Sequence, residues 1–268
     1  MSTVRIALTI EYDGTDFAGW QKQADPALPT VQSVLEKALS RIADSAVATV
    51  CAGRTDAGVH ACSQVVHFDT WKDRGEKAWT QGVNSLLPKS VRVHWARPVP
   101  VEFHARFRAT ARRYHYVLFQ RQAESAILAG RVTHWRQALD IEAMNRAVQC
   151  LIGEQDFAAF RAAGCQSRSS FRNVHAAQVW TTGPFVIFDI QANAFLQHMV
   201  RNIMGSLLSI GAGARESEWM AELLQRGDRR LAAATARPDG LYLVDVAYPD
   251  GFGLPVGYQA PPFLPQSL

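Results

Sequence analysis

One short loop combines four polar groups that can take part in chemistry. Residues 53–60 read Gly-Arg-Thr-Asp-Ala-Gly-Val-His, which brings a guanidinium, a hydroxyl, a carboxylate and an imidazole close together, from Arg54, Thr55, Asp56 and His60. Strand-like runs flank the loop, so a sheet edge can present these groups to a ligand. An ionised carboxylate there can act as a nucleophile or a base. The alternative is an ordinary turn in which Asp56 caps backbone amides beside Arg54.

A second candidate is Arg201, on a helix predicted over residues 195–210. Apolar residues recur along it at helical spacing and form a buried stripe, namely Phe195, Leu196, Met199, Val200, Ile203, Met204, Leu207 and Leu208. Arg201 lies at the edge of this stripe, where a semi-buried guanidinium calls for a carboxylate partner. The alternative is an arginine whose stem packs on the stripe while its charge stays in water.

Cationic and aromatic residues are interleaved over residues 103–121. Tyr114 and Tyr116 share one face of a predicted strand there, so one of them can stack on a base. Guanidinium groups for phosphates and flat rings for unstacked bases are what single-stranded RNA recognition requires. The alternatives are packing tyrosines and a solvated arginine face over an aromatic core. The run contains Phe103, Arg106, Phe107, Arg108, Arg112, Arg113, Tyr114, Tyr116, Phe119 and Arg121.

Composition narrows the class of protein. A chain of 268 residues with 48% hydrophobic content can bury a substantial core, and its net charge of +4 suits a polyanionic partner without requiring one. No run reaches the roughly 18 apolar residues of a membrane span, and Glu11 and Asp13 follow too early for a signal-peptide core. We therefore expect a cytoplasmic protein.

Cysteines and histidines do not form a recognisable metal motif. The four cysteines lack C-x-x-C spacing, and the eight histidines lack both H-x-x-x-H and H-E-x-x-H spacing. We expect reduced, mostly buried thiols and no metal site. A phosphate-binding P-loop and a nucleophile-elbow serine are also absent from the sequence.

Hydrophobic periodicity predicts the elements that position these residues. The first half shows strands over 4–12, 48–52, 64–68 and 91–96, and helices over 31–42 and 78–87. The second half shows strands over 114–119, 174–181, 185–190 and 241–247, and helices over 141–151, 195–210 and 216–224.

Two βαββαβ halves follow from this order. They predict an α+β fold of two ferredoxin-like halves whose antiparallel sheets join, with helices on one side and an active-site cleft between the halves. Pro98 and Pro100 interrupt the strand pattern and place the boundary near residues 99–113. We predict an N-terminal half over 1–105, a C-terminal half over 106–248, and a proline- and glycine-rich tail over 249–268 that packs irregularly or is partly disordered.

Seven short segments carry a family resemblance. They are 11–21 (EYDGTDFAGWQ), 53–60 (GRTDAGVH), 84–88 (NSLLP), 103–107 (FHARF), 112–116 (RRYHY), 195–203 (FLQHMVRNI) and 236–241 (ARPDGL). In this order they resemble the tRNA pseudouridine synthase A family, which modifies uridines 38 to 40 in the anticodon arm. One departure is Gln155, where similar sequences usually carry histidine.

The resemblance implies roles for individual residues. It makes Asp56 the catalytic carboxylate, Arg201 the basic residue that pairs with it, and Tyr114 the residue that contacts the target base. It also implies substrate-binding roles for Arg54, Arg106, His60 and Leu241, a tRNA partner, a homodimer and no cofactor. The rivals are a silent RNA-binding protein, an isomerase that prefers other RNA, and a carboxylate-dependent hydrolase of small nucleotides. The hydrolase is disfavoured, because the chain lacks the metal cluster and the second carboxylate near the loop that such an enzyme would need.

Overall fold

The computed structural model describes residues 3–25, 27–72, 74–255 and 257–265. Contacts divide the chain into a first unit, Met1–Arg112 with Leu243–Ala260, and a second unit, Arg113–Tyr242 with Pro261–Leu268. Both units combine helices with mostly antiparallel strands, which is consistent with the predicted α+β class. The ferredoxin-like halves, the joined sheets, the cleft and the domain limits at 105 and 248 stay predictions.

Ten strands and five α-helices are found in the described residues. The strands are β1 Val4–Tyr12, β2 Val50–Cys51, β3 His60–Thr70, β4 Val91–Val99, β5 Ala111–Gln120, β6 Thr133–Trp135, β7 Gly153–Asp156, β8 Phe171–Thr182, β9 Phe185–Ala192 and β10 Leu241–Ala247. The helices are α1 Val31–Ala43, α2 Val83–Leu86, α3 Ile141–Gln149, α4 Met199–Gly211 and α5 Trp219–Arg226.

Strands of the first unit pair in the order β4-β1-β3-β10, and β2 pairs with β3. β1 runs antiparallel to β3 and to β4, so that Ile6 lies opposite Phe68 on one side and Pro98 on the other. Proline at 98 does not end β4, because an edge strand does not need every backbone N–H for pairing. β4 therefore continues to Val99, beyond the predicted end at residue 96.

Helix α1 shows how local sequence sets an element boundary. The Thr30 side chain accepts a hydrogen bond from the Ser33 amide, and the Ser33 side chain accepts one from the Thr30 amide, which satisfies two backbone donors of the first turn. The helix ends at Asp44, which adopts a left-handed conformation with φ 53°. Leu35 and Leu39 of its apolar face are fully buried. The helix thus follows its predicted range closely.

Strands of the second unit pair in the order β5-β9-β8-β7, and β6 runs parallel to β5. Asp140 caps α3 by accepting from the Ala143 amide at 2.8 Å. Helix α4 begins at Met199 and not at the predicted residue 195, because His198 takes a left-handed conformation with φ 61°. Such a conformation is rare for a residue other than glycine and stops the helix from extending towards its N-terminus.

One asparagine in each unit bonds the backbone at a strand position that lacks a paired strand on one side. Asn84 donates to the Val93 carbonyl of β4 and accepts from the Val93 amide, both at 2.8 Å. Asn145 makes the same pair of bonds with Val179 of β8, at 2.5 and 2.8 Å. Val179 lies beyond the part of β8 that pairs with β7. Each amide side chain therefore replaces one residue of a missing neighbouring strand.

The described residues after 248 pack irregularly, and the tail over 249–268 stays a prediction. Phe252 contacts Phe103 in the first unit, with ring centroids 5.2 Å apart. Phe263 contacts Phe185 in the second unit at 5.7 Å, and Leu264 is buried. Residues 256 and 266–268 of the predicted tail lie outside the described residues. Among the described residues, no helix has both the length and the apolar character needed to cross a membrane.

Candidate active site

The loop of residues 53–60 connects β2 to β3 in the first unit. Its polar side chains differ in exposure: Arg54 is exposed, Asp56 is half-buried, and Thr55 is buried. The Val59 amide donates to the Asp56 carbonyl at 3.2 Å, which closes a tight turn around Asp56. The turn presents a carboxylate at a partly covered position, as a residue that must meet a substrate requires.

Residues 12–20 form the surface against which this loop rests. The Trp20 amide donates to the Thr55 carbonyl at 3.0 Å, and the Gly58 amide donates to the Phe17 carbonyl at 3.3 Å. Tyr12 and Thr55 share a buried hydroxyl hydrogen bond of 2.7 Å. The residues before and after Asp56 are therefore tied to one neighbouring segment.

Two glycines of that segment allow the close approach. A Cβ atom on Gly14 would lie 2.0 Å from the Val59 carbonyl oxygen, and one on Gly19 would lie 2.9 Å from the Thr55 carbonyl oxygen. Gly19 also has φ +98°, which side chains disfavour. Sequence reasoning assigned no role to these glycines. Their place in the family-like segment 11–21 was the available signal, but the contact with the loop needs three dimensions.

His60 is 1% exposed at the start of β3. Its Nδ1 accepts a hydrogen bond from the Gly14 amide at 2.9 Å and lies 3.3 Å from a carboxylate oxygen of Asp13. Both contacts tie the ring to residues 13 and 14 of the neighbouring segment. The structure therefore places His60 inside the unit, where it holds the segment that supports the loop.

Two further side chains fix the root of the loop. Gln64 donates to the Gly53 carbonyl at 2.6 Å and accepts from the Gly53 amide at 3.3 Å. Arg112 is buried and donates to three backbone carbonyls, those of Ala52, Ala109 and Arg106, at 2.9, 3.1 and 2.6 Å. Neither residue was predicted to position the loop.

Arg201 is half-buried on α4 in the second unit. Its Nε donates to the Ala236 carbonyl at 2.8 Å, and the Ala236 amide donates back to the Arg201 carbonyl at 3.1 Å. One edge of the guanidinium is thus anchored on the segment of residues 236–241. This anchoring limits the directions in which the rest of the guanidinium can point.

Asn202 and Gly205 fix α4 against the chain that follows α5. The Asn202 amide donates to the Phe160 carbonyl at 2.8 Å, and its oxygen accepts from Thr235 at 2.6 Å and from Arg229 at 3.1 Å. A Cβ atom on Gly205 would lie 1.9 Å from the Ala234 carbonyl oxygen. These contacts, which sequence reasoning missed, hold the helix that carries Arg201.

Tyr114 lies on β5 with 7% of its surface exposed. Its ring meets Phe195 edge-on, with centroids 5.0 Å apart and planes at 86°. Next on the same face, Tyr116 donates to the Arg237 carbonyl at 2.8 Å. Leu241, which is 6% exposed, follows that segment as the first residue of β10. The second unit therefore gathers Tyr114, Arg201 and residues 236–241 around α4 and β5.

The five arginines of residues 106–121 do not form one solvated face. Arg106, Arg108 and Arg121 are exposed, but Arg112 is buried and bound to carbonyls. Arg113 makes a two-bond ion pair with the buried Asp189, at 2.7 and 2.8 Å. The alternative of a solvated arginine face is therefore wrong for Arg112 and Arg113. Each of these two side chains bonds to groups within its own unit.

The cysteines are free thiols, of which Cys51 and Cys62 are buried and Cys150 and Cys165 are half-buried. Burial raises the pKa of Cys51 to about 12 and that of Cys150 to about 11, so both stay protonated near neutral pH. Across the part of the chain that the structure describes, no group of three or more His, Cys, Asp or Glu side chains is arranged to hold a metal ion.

Comparison with known proteins points to one family. The family model described as tRNA pseudouridine synthase matches residues 8–108 and 147–249. A tRNA pseudouridine synthase A from Shewanella amazonensis is 57% identical over 98% of this chain and 100% of its own length. Relatives of the same name from Klebsiella pneumoniae and Escherichia fergusonii are each 54% identical, over 97% of this chain and 96% of their own.

A solved structure gives a more distant match. One chain of the structure titled "Crystal Structure of a Cbf5-Nop10-Gar1 Complex" aligns with a TM-score of 0.34 and 10% identity. The alignment covers 88% of this chain and 57% of that chain. A likeness at this level carries no information about activity.

Proposed function

Because the chain belongs to the tRNA pseudouridine synthase family, we propose that it converts uridines 38, 39 and 40 of the tRNA anticodon arm to pseudouridine, with Asp56 as the essential carboxylate and without a cofactor. Membership of the family makes the protein an isomerase that acts on tRNA. The reaction breaks the N1–C1′ bond, turns the uracil, joins C5 to C1′ and releases the C5 proton, while N1 takes up a proton. Oxidation state does not change.

The placement of Asp56 is the observation that carries this proposal. Its carboxylate is half-buried on a turn whose neighbours, Thr55 and Gly58, are bonded to Trp20 and Phe17. A carboxylate held in this way can act repeatedly from one position, as a nucleophile at the sugar or base or as a base on the ribose. A turn that served only to reverse the chain would not need support from a separate segment.

Arg201 is proposed to pair with Asp56. A cation at ion-pair distance keeps a partly buried carboxylate in its charged form. The contact between the Arg201 Nε and the Ala236 carbonyl directs the guanidinium and supports this assignment. The role implies that Arg201→Ala lowers catalysis far more than tRNA binding.

Tyr114 is proposed to contact the target uracil after it leaves the helical stack. Its edge-on contact with Phe195 holds the ring in one orientation, which favours a planar base. The exposed Arg54 and Arg106 are proposed to bind phosphates, which makes tRNA affinity depend on salt. His60 is proposed to position the loop, because its Nδ1 accepts from the Gly14 amide inside the unit, and Leu241 keeps the substrate-binding role that the resemblance implies.

Tritium release tests the reaction and its catalytic residue together. The wild type and an Asp56→Asn variant are incubated with unmodified tRNA whose uridines carry tritium at C5, without cofactor or metal. Each isomerisation releases the C5 hydrogen, so released tritium counts turnovers. We expect release by the wild type and a decrease of at least about 10³-fold in the variant, because the essential charge is lost while the shape is kept. Equal tRNA binding by the two proteins is the control.

Substrate variants test the proposed positions. A tRNA in which cytidine replaces the uridines at positions 38, 39 and 40, with matching changes in the paired strand, is expected to release no tritium. Release from this tRNA would move the activity to other uridines. Binding of tRNA without release by the wild type would favour the silent RNA-binding protein. The homodimer is part of the proposal, and sedimentation equilibrium checks it.

A further inference from the structure

Phe107 is 75% exposed, although its neighbours in sequence anchor a well-packed part of the first unit. Phe103 and Ala105, on the same turn, are fully buried. A single exposed apolar side chain is common on protein surfaces and by itself indicates nothing. The packing beneath the ring and the charges beside it are what distinguish Phe107.

A column of rings connects Phe107 to the core. The His104 ring is stacked on Phe107, with centroids 4.3 Å apart and planes at 26°. His67 lies 4.8 Å from His104, and the buried Phe103 lies 5.9 Å from His67. The His104 Nδ1 accepts from the amides of Arg106 and Phe107, at 3.2 and 3.1 Å. The exposed ring therefore rests on a support that its own backbone keeps in place.

The backbone of this turn is fixed at each of five consecutive carbonyls. The carbonyls of residues 102 and 104 accept from the side chain and the amide of Arg108, and that of residue 103 accepts from the Arg5 side chain. The carbonyls of residues 105 and 106 accept from the side chains of Tyr248 and Arg112. Arg5 is itself held by a two-bond ion pair with Asp69. Phe107 is thus presented by a rigid turn, which lowers the entropy lost when a ligand binds to it.

Two cations flank the ring. The exposed guanidinium of Arg106 lies over the Phe107 ring, 5.7 Å from its centroid, and Arg108 is exposed on the other side in sequence. Arg112 donates both to the Arg106 carbonyl and to the Ala52 carbonyl, directly before the loop that carries Asp56. The turn and the loop therefore share one buried side chain, and both belong to the first unit.

We propose that Phe107 is a stacking platform for an unpaired base of the bound RNA, with Arg106 and Arg108 binding the phosphates next to it. The base takes the position that the Arg106 guanidinium now occupies over the ring, and the guanidinium moves to a phosphate. A flat ring with adjacent cations suits a single-stranded nucleotide, since every base has a face for stacking. The proposal rests on the proposed function only in taking that RNA to be tRNA.

Filter binding of tRNA over a range of salt concentrations tests the platform. We expect Phe107→Ala to weaken binding about 5- to 30-fold, since a stacked base is lost. The slope of log Kd against log salt should not change, because no phosphate contact is removed. Phe107→Trp should bind within about twofold of the wild type, since tryptophan keeps an aromatic face. Arg106→Ala should instead reduce the slope by about 1.

Matched controls separate stacking from general effects. Trp71→Ala removes another exposed aromatic ring, 62% exposed, that follows the opposite end of β3 from the Asp56 loop, and it should bind tRNA like the wild type. A perfectly paired RNA duplex offers no unpaired base, so Phe107→Ala should not weaken its binding. Equal loss on duplex and tRNA, or tRNA binding by Phe107→Ala equal to that of the wild type, would overturn the proposal.

Two further outcomes distinguish the explanations. Sedimentation could show that the wild type self-associates and that the Phe107→Ala variant does not. That result would assign the ring to a contact with a second copy of the chain and would overturn the platform. If the wild type binds tRNA but releases no tritium, the proposed reaction fails. Weaker tRNA binding by Phe107→Ala would still support the platform in that case.

Discussion

In the first unit a loop carries Asp56, whereas in the second unit a helix carries Arg201. In each case a glycine lets a backbone oxygen come close: Gly14, outside the loop, faces the Val59 carbonyl oxygen of the loop, and Gly205, within α4 itself, faces the Ala234 carbonyl oxygen. A Cβ atom would lie 2.0 Å from that oxygen at Gly14 and 1.9 Å at Gly205. The difference lies in what moves when the approach is blocked. A shift at Gly14 involves the loop and the segment of residues 12–20 that supports it, whereas a shift at Gly205 moves a buried helix together with its packing.

The polar groups that hold the two elements also differ. In the first unit imidazoles accept these bonds, His60 from the Gly14 amide and His67 from the Ala105 amide at 3.1 Å, and burial lowers the pKa of His67. In the second unit the Asn202 amide, which does not titrate, holds α4. We therefore expect the first unit to respond to mild acid before the second does.

The largest effect is expected from Gly205→Ala. In an ordinary helix this change is stabilising, because alanine has the higher helix propensity. Here the new Cβ atom overlaps the Ala234 carbonyl oxygen, so we expect a loss of about 3 kcal/mol in the free energy of unfolding, together with loss of activity. Urea unfolding measures this loss. Gly164→Ala, whose Cβ would lie 3.8 Å from the Gln197 Oε1, is the control. A stabilised variant would contradict the reported contact.

A different balance is expected from Gly14→Ala. Because the strain involves only the loop of residues 53–60 and its supporting segment, stability should fall by only about 1–2 kcal/mol while kcat/KM for tRNA falls about 10²-fold. Thermal unfolding and tritium release on one protein preparation give both numbers. Gly251→Ala, which adds a Cβ in open space, should change neither. If Gly14→Ala lowered stability and activity in the same proportion as Gly205→Ala does, the result would contradict the contrast between loop and helix.

The smallest effect concerns pH. Burial is the largest cause that lowers the pKa of His67 from 6.5 to about 4. The charge of Arg5 and that of His104 when it is protonated act in the same direction, and Asp69 opposes them. Between these values the unfolded chain binds a proton that the folded chain does not, so stability is complete above pH 6.5 and falls as pH drops towards 4. We expect hydrogen exchange of the amides in residues 103–107 to lose protection in that range, after correction for intrinsic rates.

His67→Asn provides the control for this prediction, because its oxygen can accept from the Ala105 amide without titrating. The second unit should respond only at lower pH. Burial by itself raises the pKa of Asp189, but the neighbouring His115 and Arg113 outweigh burial and lower that pKa below 3.8. The stability that this carboxylate contributes is kept above pH 3.8 and lost as pH falls through its lowered pKa. A pH response in His67→Asn equal to that of the wild type would assign the effect to another group.

Sequence patterns predicted the secondary-structure elements better than they predicted the contacts between residues. The strands at 4–12 and 241–247 were predicted with their observed limits, because apolar and β-branched residues dominate them. β6 and β7 were missed, since β6 has only three residues and β7, Gly153–Asp156, has no apolar alternation. The early predicted start of α4 failed at His198, whose left-handed backbone leaves no periodic signal.

The candidate site shows the same limit. Asp56, Arg201 and Tyr114 could be named from family-like segments, because chemistry restricts the residue type at those positions. Gly14, Gly205 and Arg112 could not be given roles, since each acts on backbone atoms far away in sequence. The different bonding partners of the neighbouring Arg112 and Arg113 could not be predicted from the sequence either. Alternation along β5 puts them on opposite faces, but only the fold supplies their partners.

The side chains of Asn84 and Asn145 have a consequence outside the site. An unpaired strand edge offers its backbone groups to a strand of another molecule, and aggregation can begin at such an edge. By bonding both backbone groups of Val93 and Val179, the two amides occupy a position in each strand that an incoming strand would need. We therefore expect each of these uncharged side chains to make pairing with an incoming strand less favourable at that one position in the folded protein.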